Sequence, residues 1–447
     1  DYSLWIPTNL KSEMFSRRVL IISYYWPPSG GSGVQRWLKF VKYLSLKGWE
    51  PYVFTPENPH FATQDASLLK DVPPQVEVIR FPIWEPYQTF NKLTSVLTGK
   101  KLQQVDVVGT GKKSLLQKFG MWVRGNFFIP DARRFWINPS VEFLTEFVQR
   151  NQIEKIVTTG PPHSVHLIGR NLKRKNPALK WVADFRDPWS EWDLLDTLQI
   201  SGWARKRHKK MENSVLSEAD LVLTVTPYYV RQFQLLGGKN VHLITNGFDE
   251  DDFKSIRHER TKKFTIRHIG GVDELRDPRS AMLAIKRLCE RDENFAQSII
   301  VEFVGSVNAA FRNFVEQDRT LSTRIVFIPH LPHSELLKLY GSTDVLLLVL
   351  AHAALAKGNI PGKLFEYLAS GNPIMGVGAS DGDAALIIKT AGAGNVYEAT
   401  DQAGLEDAFM RSFADWKANT KPNAQTLTNY SRRVLTDNLI TLLEKLN

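Results

Sequence analysis

Twice along the chain, a short apolar run of strand length ends in a glycine turn and is followed by a helical pattern. The first run is Arg18–Ser23, and residues 29–33 form a Ser/Gly loop before apolar residues recur at helical spacing. The second run is Phe264–Ile269, which leads into Gly270 and Gly271. Strand, glycine turn and helix in this order are typical of the start of a parallel α/β sheet. The repeat therefore predicts two such units in one chain.

Further apolar runs alternate with helical patterns in both halves of the chain. Continuous apolar strands separated by helices predict parallel sheets that are covered on both faces. The alternation pauses at Asn246-Gly247, a turn dipeptide that we interpret as the junction between the two units. The predicted strands are 18–23, 51–55, 76–80, 155–159, 181–184, 221–226, 264–269, 299–304, 325–328, 345–350 and 373–377.

Composition indicates a globular protein of two or three domains and excludes a disordered or fibrous chain. The 447 residues are 43% hydrophobic and 23% charged, with a net charge of +10. Residues 1–248 contain 33 Lys and Arg against 21 Asp and Glu, whereas residues 249–447 contain 24 against 26. A basic half predicts an anionic partner such as nucleic acid, phospholipid or a phosphorylated substrate; the alternative is that the charge serves only solubility. The single cysteine, Cys289, excludes an intrachain disulfide.

We expect neither a membrane span nor a signal peptide, and hence a cytoplasmic protein. No apolar run approaches the roughly 18 residues that a spanning helix needs, and residues 1–16 lack an apolar core. Residues 100–134 interleave eight Lys and Arg with aromatic side chains, which is typical of a surface that contacts the inner face of an anionic membrane. Two alternatives remain open. One is nucleic-acid binding, although no recognition motif is present, and the other is an aromatic core beneath a solvated basic face.

The glycine loop at residues 30–33 has two interpretations. A dinucleotide fingerprint would place its first two glycines at Gly31 and Gly33, but the third position is Arg36, which makes NAD binding by a dehydrogenase a weak prediction. Exposed backbone N–H groups at a helix N-terminus nevertheless suit a phosphate or another anion. The alternative is a tight turn without a ligand.

A second informative stretch spans residues 359–373. Pro361 and Gly362 predict a helix start, and Gly371 predicts its end. Lys363 lies in the first turn, where it and the free N–H groups suit a diphosphate. Glu366, three residues later, suits the hydroxyls of a ribose. The pair predicts a nucleotide clamp, and the alternative is a solvated Lys–Glu pair on a surface helix.

Four motifs, in this order, resemble glycosyltransferase family 4. They are Pro-Pro-Ser-Gly-Gly-Ser-Gly-Val-Gln-Arg at 27–36, Thr-Asn-Gly-Phe-Asp at 245–249, His-Ile-Gly-Gly at 268–271 and Pro-Gly-Lys-Leu-Phe-Glu-Tyr-Leu-Ala-Ser-Gly-Asn-Pro at 361–373. The resemblance implies an α/β protein with the GT-B fold, in which two facing Rossmann-like domains with mostly parallel sheets are separated by an inter-domain cleft. It also implies sugar transfer from a nucleotide-sugar with retention of configuration and without a metal.

The resemblance implies four segments. Residues 1–16 are an N-terminal extension, and residues 17–247 are the acceptor-side domain. Residues 248–425 are the nucleotide-sugar domain. Residues 426–447 form a C-terminal helix that is expected to cross back to the first domain.

Carried over by position, Glu366 resembles the second glutamate of the family's E-x7-E motif and Lys363 a group near the diphosphate. The first glutamate would fall at Gly358, so the backbone of 358–360 is expected to replace it. Gly271 stands where relatives often have an arginine, which leaves Arg276 as the cation for the leaving diphosphate, with a solvated loop arginine as the alternative. The predicted donor-binding residues are Gly31, Ser32, Gly33, Gly271, Ile360, Gly362, Lys363, Leu364 and Glu366.

Two segments of the first half follow predicted strands and carry polar groups. His163 follows the strand 155–159 and suits a contact with the donor sugar or the acceptor; a histidine bonded only to backbone is the alternative. Asp184, Arg186 and Asp187 follow the strand 181–184. They are either acceptor contacts or an internal salt-bridge loop in which Arg186 neutralises the two carboxylates.

Asp381-Gly382-Asp383 matches the D-x-D pattern of metal-dependent glycosyltransferases. Asp383 stands directly before a predicted helix at 384–390, however, where it suits an N-cap. We therefore predict no metal and no cofactor.

The sequence predicts a retaining glycosyltransferase with His163, Lys363 and Arg276 as catalytic residues. Its expected partners are a nucleotide-sugar, a glycan or lipid-linked acceptor and an anionic membrane surface, but no nucleic acid. The alternatives are a GT-B nucleotide-sugar epimerase and a non-catalytic nucleotide-sugar binding protein.

Overall fold

The computed structural model describes residues 17–59, 61, 64–85, 115–191, 195, 198–254, 256–351, 356–420 and 428–446. The predicted extension 1–16 and part of the basic segment, including Lys100, Lys101, Lys112 and Lys113, lie outside the described residues. By their internal contacts, the described residues fall into two units. The first contains the chain up to Val225, Tyr229–Ile244 and the chain from Thr436 onward, and the second contains Thr226–Tyr228 and Thr245–Leu435.

The first unit is built on a seven-stranded sheet in the order β3-β2-β1-β4-β5-β6-β7, in which all neighbouring strands are parallel. The inner strand β1 is almost wholly buried, as expected for a strand covered on both faces. Strand order reverses between β1 and β4, which makes their carboxyl ends the place where ligands bind in such sheets. The strands are β1 Arg18–Ser23, β2 Glu50–Pro56, β3 Glu77–Phe81, β4 Lys155–Gly160, β5 Lys180–Phe185, β6 Leu221–Thr224 and β7 Val241–Leu243.

The second unit repeats this topology with six parallel strands in the order β10-β9-β8-β11-β12-β13. The order reverses between β8 and β11. Apolar side chains from both faces of the sheet form two clusters against the covering helices. The strands are β8 Phe264–Ile269, β9 Ile299–Val304, β10 Ile325–Ile328, β11 Val345–Val349, β12 Ile374–Val377 and β13 Gly394–Tyr397.

Helices connect most of these strands, which gives the right-handed alternation that parallel sheets require. The α-helices are α1 Ser32–Leu46, α2 Leu115–Phe127, α3 Ile137–Arg150, α4 Ser164–Lys175, α5 Gly202–Glu218, α6 Pro227–Leu235, α7 Glu250–Phe253, α8 Arg279–Arg291, α9 Glu293–Ser298, α10 Ala309–Glu316, α11 Arg319–Ser322, α12 His333–Gly341, α13 Lys363–Ser370, α14 Asp383–Thr390, α15 Gln402–Ala418 and α16 Arg432–Glu444. Single 3-10 turns lie at Ala66–Asp71, Arg134–Trp136, Ala356–Gly358 and Thr428–Tyr430.

All of the predicted strands are present, and two further strands are found. The predictions missed β7 and β13, each at the edge of its sheet. β7 is the three-residue strand Val-His-Leu and β13 reads Gly-Asn-Val-Tyr, so neither has an apolar run as long as that of β10, which also lies at an edge but reads Ile-Val-Phe-Ile. The predicted ends of α13 are confirmed, because it follows Gly362 and stops at Gly371, which has the left-handed φ of +71° that glycine tolerates.

A buried ion pair joins α1 to the end of β5 in the first unit. Arg36 donates from Nη2 to Asp184 over 2.8 Å, and both side chains are inaccessible to solvent. Trp37 and Thr159 donate to the other carboxylate oxygen over 2.7 and 2.9 Å. The Arg36 guanidinium and these hydrogen bonds outweigh the cost of burial and lower the pKa of Asp184. The internal salt bridge anticipated for Asp184 therefore exists, but its direct partner is Arg36 instead of Arg186.

Replacing Arg36 with methionine should lower the free energy of unfolding by about 3–5 kcal/mol, because it leaves the Asp184 carboxylate buried without its counter-charge. Denaturant-induced unfolding measures the loss. Arg174→Met is the matched control, since its partner Glu218 and Arg174 itself are exposed and such a pair contributes about 1 kcal/mol or less. A similar loss in both variants would contradict the assignment.

Candidate functional site

Several polar groups of the second unit lie near the carboxyl ends of β8 and β11. Strand order reverses there, and such a reversal is where open α/β sheets bind their ligands. The loop after β8 carries Gly270 and Gly271. The segment that follows β11 leads to the N-terminus of α13, whose first residue is Lys363.

Lys363 reaches from α13 to the end of β8. Its Nζ lies 3.1 Å from Nε2 of His268, and Nδ1 of the same ring lies 2.9 Å from the carbonyl oxygen of Leu347. Burial, and secondarily repulsion from Arg276, lowers the pKa of Lys363 to about 7, while Asp273 acts in the opposite direction. Burial also lowers the pKa of His268 well below its usual value, so this ring is neutral. The lysine is thus a desolvated amine without a carboxylate of its own among these contacts.

Three glycines make room for this lysine and for the loop around it. A β-carbon on Gly270 would lie 3.0 Å from Nζ of Lys363, and its φ of +128° also disfavours other residues. A β-carbon on Gly305 would lie 2.7 Å from the carbonyl oxygen of Gly270. Gly271 is less tightly enclosed, at 3.3 Å from Oγ of Ser306. The loop after β8 therefore packs closely on both the lysine and the loop after β9.

Arg276 lies near Lys363 but is committed to a local ion pair. Its Nη1 donates to Asp273 over 2.6 Å, and both side chains are more than one-third exposed. Asp273 also accepts from the backbone N–H of Arg276 over 2.9 Å, which fixes the turn. An exposed pair of this kind contributes little stability, so the guanidinium can exchange Asp273 for a ligand anion at small cost.

Glu366 is half-buried on α13, three residues after Lys363. One of its carboxylate oxygens accepts a hydrogen bond of 3.0 Å from the hydroxyl of Tyr340 on α12. Burial, together with the negative charge of Glu366, raises the pKa of Tyr340 well above its usual value, so the tyrosine remains a donor. The contact orients the glutamate.

The remaining predicted donor residues around α13 have side chains that are buried or, in the case of glycine, absent. The side chains of Ile360 and Leu364 are 6% and 0% exposed and belong to an apolar cluster of the second unit. The N–H of Leu364 donates to Pro361 over 3.0 Å, so Leu364 is a packing residue in this structure. Gly362 is the N-cap of α13 and has no side chain with which to cap it.

Gly358, where the family pattern has a glutamate, lies against an aromatic ring. A β-carbon at this position would be 2.5 Å from Cδ1 of Tyr228, a residue that the internal contacts assign to the second unit. The backbone N–H of Tyr228 donates to Asp383 over 2.9 Å, which holds the tyrosine in place. A glutamate at 358 is therefore excluded unless Tyr228 moves.

The two aspartates of the D-x-D pattern point to different partners. Asp381 forms an exposed ion pair with Lys357, and Asp383 accepts from Tyr228. The predicted N-cap role of Asp383 is wrong, because α14 already begins at Asp383 and its N-cap is Gly382. No cluster of three or more potential metal ligands occurs among the described residues.

In the first unit, Arg186 ties the glycine loop to the loop after β4. Its guanidinium donates to the carbonyl oxygens of Gly33 over 2.7 Å, of Gly160 over 3.2 Å and of Pro161 over 2.5 Å. Gly31 has a φ of +89°, and Ser32 begins α1. Arg186 thus fixes backbone geometry at the carboxyl ends of β1 and β4. Asp187 lies next to it and is half-buried.

His163 lines a cavity of about 310 Å³ in the first unit. It is 5% exposed, and neither ring nitrogen has a hydrogen-bond partner among the described residues. Burial lowers the pKa of His163 well below its usual value. The ring stacks on Trp189 with a centroid distance of 4.8 Å, and Trp189 donates from Nε1 to His208 over 3.0 Å. The cavity wall also includes Tyr25, Gly30, Arg124, Phe128 and Asp131.

The aromatic side chains of the basic segment divide between core and surface. Trp136 is buried, whereas Trp122, Phe127 and Phe135 are between 39% and 58% exposed. Together with Trp84, which packs edge to face against Phe135, these three exposed residues are called the aromatic patch. The guanidinium of Arg134 lies 5.5 Å from the ring of Phe135. Among the described residues, no helix has the length and apolar character needed to cross a membrane.

Comparison with known proteins identifies the fold. No protein-family model matches this chain, and no curated protein matches it by sequence. The sucrose-phosphate synthase of Thermosynechococcus elongatus shares the fold with a TM-score of 0.63 at 14% identity, over 96% of this chain and 98% of that chain. An α,α-trehalose-phosphate synthase (UDP-forming) from Burkholderia xenovorans has a TM-score of 0.61 at 11% identity, over 96% and 100%. A protein described as a UDP-N-acetylglucosamine 2-epimerase from Listeria monocytogenes has a TM-score of 0.54 at 12% identity, over 96% and 96%.

These likenesses confirm the predicted GT-B fold, with two Rossmann-like units on parallel sheets. At such low identity they establish the fold alone. Because two synthases and an epimerase share it, the reaction has to be argued from the residues of this chain.

The contact between Tyr228 and Gly358 can be tested by a paired substitution. Gly358→Glu should lower the free energy of unfolding by about 1–3 kcal/mol, because the new side chain overlaps the ring. Adding Tyr228→Ala should recover much of that loss. Thermal or denaturant unfolding measures both variants. Gly120→Glu is the control, since Gly120 lies inside α2 with open space around it and should tolerate the change. No recovery in the double variant would contradict the contact.

Proposed function

We propose that this chain is a retaining, metal-independent glycosyltransferase that moves a sugar from a nucleotide-sugar to a hydroxyl of an acceptor. The single observation that carries the proposal is the position of Lys363. Its ammonium stands at the N-terminus of a helix, at the strand-order reversal of a Rossmann-like sheet, desolvated and without a carboxylate partner among its described contacts. Such a group suits a diphosphate, because the helix end and the cation both attract negative charge.

In the proposed reaction, the bond between the anomeric carbon and the diphosphate oxygen breaks while the acceptor oxygen bonds to the same carbon. The acceptor's proton passes to the departing diphosphate on the same face, so configuration is retained without a covalent enzyme intermediate. Lys363 and Arg276 stabilise the negative charge that develops on the diphosphate. Glu366, oriented by Tyr340, binds the ribose hydroxyls, and the backbone of 358–360 faces the sugar in place of the family's first glutamate.

The first unit is proposed to bind the acceptor through the cavity that contains His163. A buried imidazole without partners costs free energy, and a hydroxyl group of a ligand would satisfy it. Apolar and cationic residues in the same wall suit a lipid-linked or cell-envelope glycan.

We further propose that the aromatic patch and Arg134 contact the anionic inner face of the cell membrane, which places the protein at the cytoplasmic side.

Two alternatives have specific observations in their favour. A GT-B epimerase needs the same nucleotide site but no acceptor, and one of the matching structures is described as an epimerase. A non-catalytic nucleotide-sugar binding protein is suggested by Gly358. Incubation with donor alone identifies an epimerase, because only an epimerase changes the sugar without an acceptor. Addition of acceptor then separates a transferase, which turns over, from a binding protein, which leaves the donor intact.

The proposal predicts that one nucleotide-sugar in a panel of bases and sugars raises the thermal unfolding midpoint, since a ligand of the native state stabilises it. At a concentration about 100-fold above Kd the gain is about 2.7 kcal/mol. Lys363→Met should abolish the shift and lower turnover by two or more orders of magnitude with an intact fold. Lys254→Met, an exposed lysine elsewhere in the unit, should change neither. Near-normal turnover of Lys363→Met would refute its assigned role.

The proposed membrane contact predicts binding to phosphatidylglycerol vesicles and weaker binding to phosphatidylcholine vesicles, measured by co-flotation. Replacing Trp122 and Phe127 with serine should reduce binding several-fold, because aromatic rings anchor proteins at the headgroup level. Leu235→Ser is the control, since Leu235 is 81% exposed and lies outside the patch. Undiminished binding of the double variant would exclude the patch as the contact surface.

A further inference from the structure

One fully buried histidine contacts the proposed diphosphate lysine and has no role so far. His268 is the fifth residue of β8 and is 0% exposed. A buried imidazole costs free energy unless its nitrogens are hydrogen-bonded. The partners of the two ring nitrogens therefore indicate what this side chain does.

The hydrogen bonds fix the tautomer of His268. Its Nδ1 lies 2.9 Å from the carbonyl oxygen of Leu347 in β11, which can only accept, so Nδ1 carries the proton. In a neutral ring, Nε2 is then an acceptor. It lies 3.1 Å from Nζ of Lys363 and presents its lone pair to the amine. The carbonyl oxygen of Leu347 thus fixes the tautomer of His268, and the tautomer places an acceptor nitrogen opposite the lysine.

We propose that His268 is a positioning residue whose Nε2 lone pair holds the Lys363 ammonium at the carboxyl end of β8 for the diphosphate. This inference rests on the proposed function, because that function assigns the diphosphate to Lys363. A hydrogen bond accepted from the ammonium favours its charged form, so His268 also helps the lysine to be protonated when the anion binds.

The charged groups that face Lys363 make the effect of His268 on the protonation of the lysine measurable. His268 faces it from β8, and Arg276 and Asp273 face it from the following loop. Burial and Arg276 outweigh Asp273, so the pKa of the free lysine is about 7. A bound anion raises that pKa, because it favours the ammonium. Anion binding therefore takes up a proton above pH about 7 and weakens as the pH rises further, whereas below that pH the lysine is already charged.

The first test uses the full chain with inorganic pyrophosphate as the probe. Titration calorimetry in buffers of different ionisation enthalpy should show about one more proton taken up above pH 8 by the wild type than by Lys363→Arg, which shares the proton exchange of pyrophosphate itself, and little difference below pH 6. His268→Phe keeps the ring but removes the acceptor, and it should bind pyrophosphate about tenfold more weakly at pH 7.5, with the midpoint of the pH profile moved to lower pH. His268→Gln retains an acceptor oxygen and should stay within about threefold of the wild type.

Two further variants distinguish a positioning role of His268 from a role in core packing alone. His268→Met, whose thioether sulfur is only a weak acceptor, is a second variant with a flexible side chain that adapts to the space, in case His268→Phe does not fold. Lys363→Arg is charged at every accessible pH, so in that background the pH profile should follow the ionisation of pyrophosphate alone, with a midpoint that does not depend on His268. Equal losses in the Gln, Phe and Met variants, with an unchanged midpoint, would show that His268 only fills the core and would overturn the inference.

A second measurement needs no ligand and distinguishes this inference from the proposed function. The pH profile of Lys363 acetylation by acetic anhydride, read by mass spectrometry, should move to lower pH in His268→Phe and not in His268→Gln. An unmoved profile overturns the contact even if the wild type binds pyrophosphate. Failure of the wild type to bind pyrophosphate would instead overturn the proposed function, and with it the diphosphate role of both residues.

Discussion

The cost of removing charged groups from water governs the carboxyl ends of the strands in both units. In the first unit, the Asp184 carboxylate is wholly buried, and Arg36, Trp37 and Thr159 compensate it completely. In the second unit, the Lys363 amine is partly buried, and the hydrogen-bond partner it has among the described residues is a neutral imidazole. A compensated charge stabilises the fold and has nothing left to offer a ligand. A buried charge without a full set of partners is stabilised when an anionic ligand binds to it. We therefore assign a structural role to Asp184 and a ligand-binding role to Lys363.

Most of the fold follows from the sequence, because parallel strands buried on both faces are apolar along their whole length. Runs such as Arg18–Ser23 and Phe264–Ile269 are therefore visible without any structure. The strands β7 and β13 were missed because each is short and contains polar residues, Val-His-Leu and Gly-Asn-Val-Tyr, and so leaves no such signal. Within the site, Lys363 and Glu366 were identified from helix position and the family pattern. The partners His268 and Tyr340 were not, since they come from distant segments and each is brought to its partner only by the sheet topology.

Gly358 shows how a departure from a family pattern can be accommodated locally. The ring of Tyr228 occupies the space that a side chain at 358 would need, and Asp383 holds the backbone of that tyrosine. The three residues therefore pack together, and the effect of a substitution at one of them on stability depends on the residues at the other two. This also explains why Asp383, which looks like a helix N-cap in the sequence, instead accepts a hydrogen bond from the backbone of Tyr228 in the structure.

The division of the chain has a consequence for protein engineering. Neither unit is a continuous stretch of sequence, because Thr226–Tyr228 belongs to the second unit and the residues from Thr436 onward belong to the first. Cutting the chain once near Asn246 would give two fragments, each lacking a piece of its own core. A chimera that exchanges the second unit with that of another GT-B protein therefore needs four junctions, at 225/226, 228/229, 244/245 and 435/436, and Tyr228 and Gly358 have to come from the same parent.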